Sequence, residues 1–161
     1  MSDNKRSIQQ TLNIVAPPAK VFRALTDARE LTRWWITRGA SDAHAGGRFE
    51  YVFEFKDPQQ NGKQSGAYLE VVANQKLSYP WEAGEFGGGN NTTVVFTFGE
   101  ADGGTRLELD HAGYGSEGAW GPVYDMTAQA WGFFLGNLKT YLEAGQDNRT
   151  AALGQITHPA A

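Results

Sequence analysis

Few residues in this chain could do chemistry, and most of them fail on spacing. His111 closes an alternating run with Leu107 and Leu109 on its own face. It reads either as a neutral core histidine satisfied by a backbone carbonyl, or as a lone polar anchor that orients a ligand carbonyl or hydroxyl in an apolar pocket. His44 and His158 stand in a loop and a tail, far from His111 and without a carboxylate at ligand spacing, so no metal is expected. Ser116, in GYGSEG, has Tyr114 where a nucleophile elbow needs glycine, so an activated serine is not expected. Gly87, Gly88 and Gly89 lack the Gly-Lys-Ser/Thr ending of a phosphate loop, no dinucleotide fingerprint occurs, and no cofactor is implied. Glu50, Glu54, Glu108 and Asp110 alternate with apolar residues, which reads as a solvated face rather than as general acids or bases.

The unusual resource is rings: five Trp, six Tyr and nine Phe. Phe49, Tyr51, Phe53 and Phe55 line one side of a single strand, while Trp34, Trp35, Trp81 and Trp120 flank loops or element ends, where a pocket mouth would form. Such rings either fill a core or wall an apolar pocket. Both readings stay open on residue type alone.

The elements that must position these rings follow from periodicity. The longest is a helix over 123–143, with Val123, Thr127, Ala130, Trp131, Phe134, Leu138, Tyr141 and Leu142 on one stripe and Asp125, Gln129, Lys139 and Glu143 opposite. Pro122 suits its first position and Gly145 a left-handed stop. Gly132 and Gly136 fall on the polar side, where each costs roughly 1 kcal/mol against alanine; helix softening and close approach of a second subunit are two uses for them. Upstream, residues 8–15 alternate as a strand, and Pro18 opens a short helix bearing Val21, Phe22 and Leu25. Asp27 and Glu30 have capping-box spacing for a second short helix that buries Leu31, Trp34 and Trp35. A loop over 41–47 leads to strands over 48–55, 66–73, 76–81, 92–99 and 105–111, with turns over 56–62 and 102–104 and a glycine-rich hairpin tip over 84–91. In the 66–73 strand the parity is open: Leu69 and Val71, or Tyr68 and Val72, face inward.

Composition narrows the class. At 161 residues one domain is favoured, here as an extension over 1–7, a domain over 8–145 and a loosely held polar tail over 146–161. A net charge of −4 with no basic cluster longer than Lys5-Arg6 argues against nucleic acid and anionic lipid as partners. No cysteine, no apolar leader and no long apolar span lead to the expectation of a cytoplasmic protein without membrane contact.

Strand, two short helices, five strands in hairpin succession and one long helix make an α+β order in which a helix covers one face of a curved antiparallel sheet of about six strands. The pieces LTRWW (31–35), GGRFEY (46–51), GAYLEVVANQKLSYPWE (66–82), TRLELDHAGY (105–114) and AWGFFLGNLKTYLE (130–143) resemble the heat-shock protein 90 ATPase activator homologue-like family. That family belongs to the START-like (SRPBCC) superfamily of helix-grip folds. The resemblance implies an apolar cavity between helix and sheet near Trp35, Phe53, Trp81, Phe96, His111, Trp131 and Phe134, to which the aromatic wall adds Tyr51 and the tryptophans that flank loops or element ends add Trp120. The expected function is holding a small apolar or amphipathic molecule without turnover, as a monomer or homodimer. Two alternatives come from other classes: a co-chaperone-like module with a chaperone partner, and a cyclase or dehydratase using His111 and Tyr51.

Overall fold

Helix α3 (Trp120–Ala144) is 25 residues long, a rod of roughly 38 Å at ~1.5 Å per residue. The computed structural model describes residues 6–82, 91–115 and 120–157; the extension up to residue 5, the glycine tract 83–90, Ser116 and His158 lie outside them. The helix starts two residues earlier than the sequence pattern suggests. Pro122 therefore stands inside the first turn, where backbone N–H groups have no intrahelical acceptor anyway. Gly145 ends it with φ +69°, its N–H donating to the Tyr141 carbonyl at 2.9 Å.

Two sheets, not one of about six strands, face this helix. Strands β1 (Arg6–Ile14), β5 (Glu70–Val72), β6 (Lys76–Glu82), β7 (Asn91–Ala101) and β8 (Gly104–Tyr114) form an antiparallel sheet in the order β1-β8-β7-β6-β5. Strands β2 (Arg38–Ser41), β3 (Arg48–Phe53) and β4 (Gly62–Ala67) form a second in the order β2-β3-β4. The residues expected as one strand over 66–73 thus belong to both. The chain leaves β4 at Ala67, and β5 begins at Glu70, so parity changes in the crossing: Tyr68 is buried, Leu69 is exposed, and Val71 turns back to the core. Strand β2 carries no apolar alternation and gave no sequence signal. Its Gly39 is required by contact, since a Cβ there would sit 2.1 Å from the Glu50 carbonyl oxygen across the β2–β3 pair.

Helices α1 (Pro18–Thr26) and α2 (Ala28–Trp34) form a prop beside α3. Asp27 caps α2, accepting from the Arg29 N–H at 2.8 Å. Glu30 does not complete the capping box; its carboxylate accepts from the Tyr141 hydroxyl of α3 at 3.0 Å instead. Ile8, Ile14, Leu77, Val94, Phe96, Leu107 and Leu109 of the larger sheet meet Val21, Leu25, Leu31 and Trp34 of the prop and Val123, Trp131, Leu135 and Leu138 of α3 in one core. On the outer side of α3, added Cβ atoms at Gly132 and Gly136 would meet nothing within 4 Å, so no contact among the described residues requires these glycines.

The expected loose tail is pinned as far as the structure describes it. A short helix, α4 (Arg149–Leu153), follows α3, and Arg149 is fully buried. Its guanidinium donates to the Ile36 carbonyl at 2.9 Å, to the Thr32 carbonyl at 2.7 Å and to both carboxylate oxygens of Asp147. Asn137, buried on α3, completes the clasp by donating to the Trp34 carbonyl and to Asp147 and accepting from the Asn148 N–H. Partial burial pushes the Asp147 carboxyl up, but hydrogen bonds from Arg149 and Asn137 outweigh it and hold the acid below its ordinary 3.8. Asp147→Ala strands a buried guanidinium without its counter-charge and is expected to cost about 3 kcal/mol in urea unfolding; a loss under about 0.5 kcal/mol means that the tail contributes nothing to the fold.

Candidate functional site

The two sheets part between β4 and β6, and rings occupy the gap. Trp34 ends α2, while Trp35 leaves helical geometry with φ −131° and ψ −65°. Neighbouring residues of a regular helix cannot face one another. This break lets both indoles turn inward and stack, with centroids 5.4 Å apart and planes 18° from parallel. Trp81 of β6 stacks on Trp35 in turn, at 5.6 Å and 12°. Phe53 of β3 and Trp131 of α3 meet Trp35 at 5.6 Å and 5.4 Å. Pro80 is tolerated beside Trp81 because β5 pairs only as far as Ser78, leaving that edge of β6 without a ladder partner. One side chain replaces the missing ladder: Gln64 of β4 donates to the Glu82 carbonyl at 3.0 Å and accepts from the Glu82 N–H at 2.9 Å.

Where the rings stop, a groove of about 320 Å³ remains between α3 and the β3–β4 hairpin. Trp35, Phe53 and Trp81 form one wall, and Thr127, Ala130, Trp131 and Phe134 the helical wall. Phe55, Gln60 and residues 62–64 form the rim. Its ligandable polar groups are few. Gln64 is committed to Glu82, Lys63 pairs with Glu50 at 3.2 Å, and the Thr127 hydroxyl donates to its own helix at the Val123 carbonyl.

Of the nine residues expected at a cavity, Trp35, Phe53, Trp81, Trp131 and Phe134 border this groove. Four do not. Tyr51, Phe96 and His111 are fully buried behind it, because the space between the centre of the sheet and α3 is filled by rings rather than hollow. Trp120 stands at the start of α3, edge-on to Tyr114 at 5.6 Å. Phe55 and Gln60 were not expected at a site; Phe55 continues the alternation of the aromatic strand, and nothing marked Gln60.

His111 is satisfied by side chains rather than by a backbone carbonyl. The Trp131 indole N–H donates to its Nδ1 at 2.9 Å, which fixes the proton of the neutral ring on Nε2. That Nε2–H donates to the Thr92 hydroxyl at 2.7 Å, and the hydroxyl donates to the Trp81 carbonyl at 2.8 Å. Burial pushes the imidazole down from its ordinary 6.5 to about 3. Tyr51 belongs to a second buried chain. It donates to Tyr68 at 2.7 Å, Tyr68 to Ser41 at 2.6 Å, and Ser41 to the Thr26 carbonyl. Burial raises the Tyr51 and Tyr68 phenols. Neither His111 nor Tyr51 opens onto the groove, so neither is placed to exchange a proton with a molecule there.

Residues 15–143 match the family model of the activator of Hsp90 ATPase homolog 1-like protein. The chain belongs to this family. Its solved neighbours share the helix-grip architecture. A protein from Mesorhizobium loti, MLL2253, is 23% identical with a TM-score of 0.73 over 88% of this chain and 99% of that one. The Aha1 dimer from Colwellia psychrerythraea is 21% identical with a TM-score of 0.71 over 88% and 98%. CalU16 from Micromonospora echinospora is 26% identical with a TM-score of 0.64 over 88% and 78%. No curated protein matches the chain in sequence. No described helix is long and apolar enough to cross a membrane, and no cluster of metal-ligating side chains occurs among the described residues.

The neutral His111 gives the fold a pH signature. As pH falls below 6.5 the unfolded chain takes up a proton that folded His111 refuses until about 3, so stability declines with falling pH across that window. The slope from this group is at most about 1.4 kcal/mol per pH unit. Subtracting the stability profile of His111→Gln isolates it from His44 and the carboxylates; a difference profile flat between pH 6 and 4 contradicts a buried neutral imidazole.

Proposed function

We propose that the groove between α3 and the β3–β4 hairpin holds a small apolar or amphipathic molecule without chemical turnover. The observation that carries this reading is the composition of the walls. Six of the twelve lining residues are rings and the polar ones are Gln60, Lys63, Gln64 and Thr127, and Phe53, Phe55, Trp81 and Phe134 stay partly exposed although each could bury more surface with an occupant. Apolar area withdrawn from water is worth ~25 cal/mol per Å², so an apolar guest covering these rings gains affinity without a charged anchor. The absence of turnover rests on the neutral, enclosed states of His111 and Tyr51 described above. Such a pocket is at the small end of the range that holds organic ligands, ~300–1,000 Å³.

The family match itself favours a second reading, contact with a chaperone through the outer surface, for which the exposed Met126 of α3 is an available apolar point. The two readings separate in one experiment. Ala130 is exposed at the groove mouth, so Ala130→Trp plugs the groove while leaving the core intact. Binding of 8-anilinonaphthalene-1-sulfonate, followed by fluorescence, is expected to weaken about tenfold, or ~1.4 kcal/mol, at unchanged melting temperature. Equal binding by both proteins overturns the groove as the ligand site, and pull-down of a chaperone lost in Met126→Glu establishes the second reading in its place.

A further inference from the structure

The groove's walls are fixed from behind, and by a residue that never reaches its surface. Trp131 and Trp81 are adjoining wall residues, their rings tilted together with centroids 6.1 Å apart, and both end on His111: the first through its indole N–H to Nδ1 at 2.9 Å, the second through its carbonyl, Thr92 and Nε2–H at 2.8 Å and 2.7 Å. A single imidazole thereby sets the orientation of one indole and the strand position of the other. Trp81 is further held against Trp35 by stacking at 12°. The described lining contains no leucine, isoleucine, valine or methionine, the side chains that let a pocket reshape itself around a flexible chain. A slot of fixed ring faces and edges rewards a flat π-system through offset and edge-on contacts, and gives a flexible aliphatic chain no such return for its lost freedom.

We infer that His111, through Thr92, is a positioning residue that locks Trp131 and Trp81 into a rigid slot selective for planar aromatic molecules over acyl chains of similar size. The inference rests on the groove reading above. His111 acts without touching the guest. Its neutral Nε2–H tautomer is the form that serves both indoles at once, since a proton on Nδ1 would remove the acceptor for Trp131. The selectivity comes from pre-set geometry, and loosening the walls should lower affinity for the flat guest while sparing the flexible one.

The test compares 2-naphthol with decan-1-ol, matched in carbon and oxygen count, by calorimetric titration. The wild type is expected to bind 2-naphthol about tenfold more tightly. His111→Gln, with its amide nitrogen in the place of Nε2, keeps a donor for Thr92, while its one acceptor, the amide oxygen, no longer stands at the Nδ1 position that faces Trp131; the change should bring the two affinities to within about twofold by weakening 2-naphthol alone. Thr92→Val, which cuts the other arm, should do the same and serves if His111→Gln does not fold. In a Trp131→Phe background, where no indole N–H needs an acceptor, His111→Gln should leave the selectivity ratio unchanged, an outcome that a merely structural histidine would not give. Wild-type binding of both compounds with equal affinity, weakened alike by Ala130→Trp, overturns the inference and leaves the groove reading standing. An unchanged ratio in both His111→Gln and Thr92→Val also overturns it. Indifference of both compounds to Ala130→Trp removes the groove reading itself.

Discussion

The stack of Trp34, Trp35 and Trp81 closes a gap that backbone hydrogen bonds leave open. Strand β4 pairs with β3, the outer edge of β6 is free beyond Ser78, and between them only the Gln64 side chain bridges main chain to main chain. A gap of this kind exposes unpaired backbone and apolar surface unless something large fills it. Three indoles in near-parallel register do so, and each is secured by a different element: α2, the turn after α2, and β6. The groove is the part of the gap that they leave uncovered.

This arrangement explains why the middle of the fold is solid and its flank is not. Between the central strands and α3, Phe96, Tyr79 and Trp131 are close enough to interlock, with Phe96 and Trp131 edge-on at 5.6 Å. Burying polar groups there requires that each find a partner. Two hydrogen-bonded chains supply most of them, one through His111 and one through Tyr51, Tyr68 and Ser41, while the buried Tyr79 hydroxyl has no hydrogen-bond partner among the described residues. Both chains end on backbone carbonyls, and their members are neutral. The same chemistry that makes these groups inert as acids or bases makes them good fixtures for the rings around them.

Much of this was legible from residue order. The alternation of Phe49, Tyr51 and Phe53 and the stripe of Val123, Trp131 and Leu138 marked the faces that meet, and the five sequence pieces pointed to the helix-grip order. What could not be read was depth. Period-two alternation says that Tyr51, Phe96 and His111 point inward, but not whether they end at a wall or behind one, which depends on how far apart the two sheets stand. The splitting of 66–73 between sheets was equally hidden, because Tyr68 and Val71 are both apolar and a two-residue crossover changes parity without a glycine or proline to mark it. Strand β2 has no apolar residues at alternate positions, and α4 is too short for a period. Arg149 looked like a tail charge because the carbonyls that surround it, Ile36 and Thr32, lie more than a hundred residues away in the chain.

The most direct measurement is a titration of the ¹⁵N-labelled protein with 2-naphthol, following the five indole N–H resonances. Occupation of the groove is expected to move those of Trp81 and Trp131 most and to leave Trp120, at the far start of α3, in place. Movement of Trp120 with Trp81 and Trp131 unchanged, or a small uniform drift of all five, contradicts a groove built between the parted sheets and the long helix.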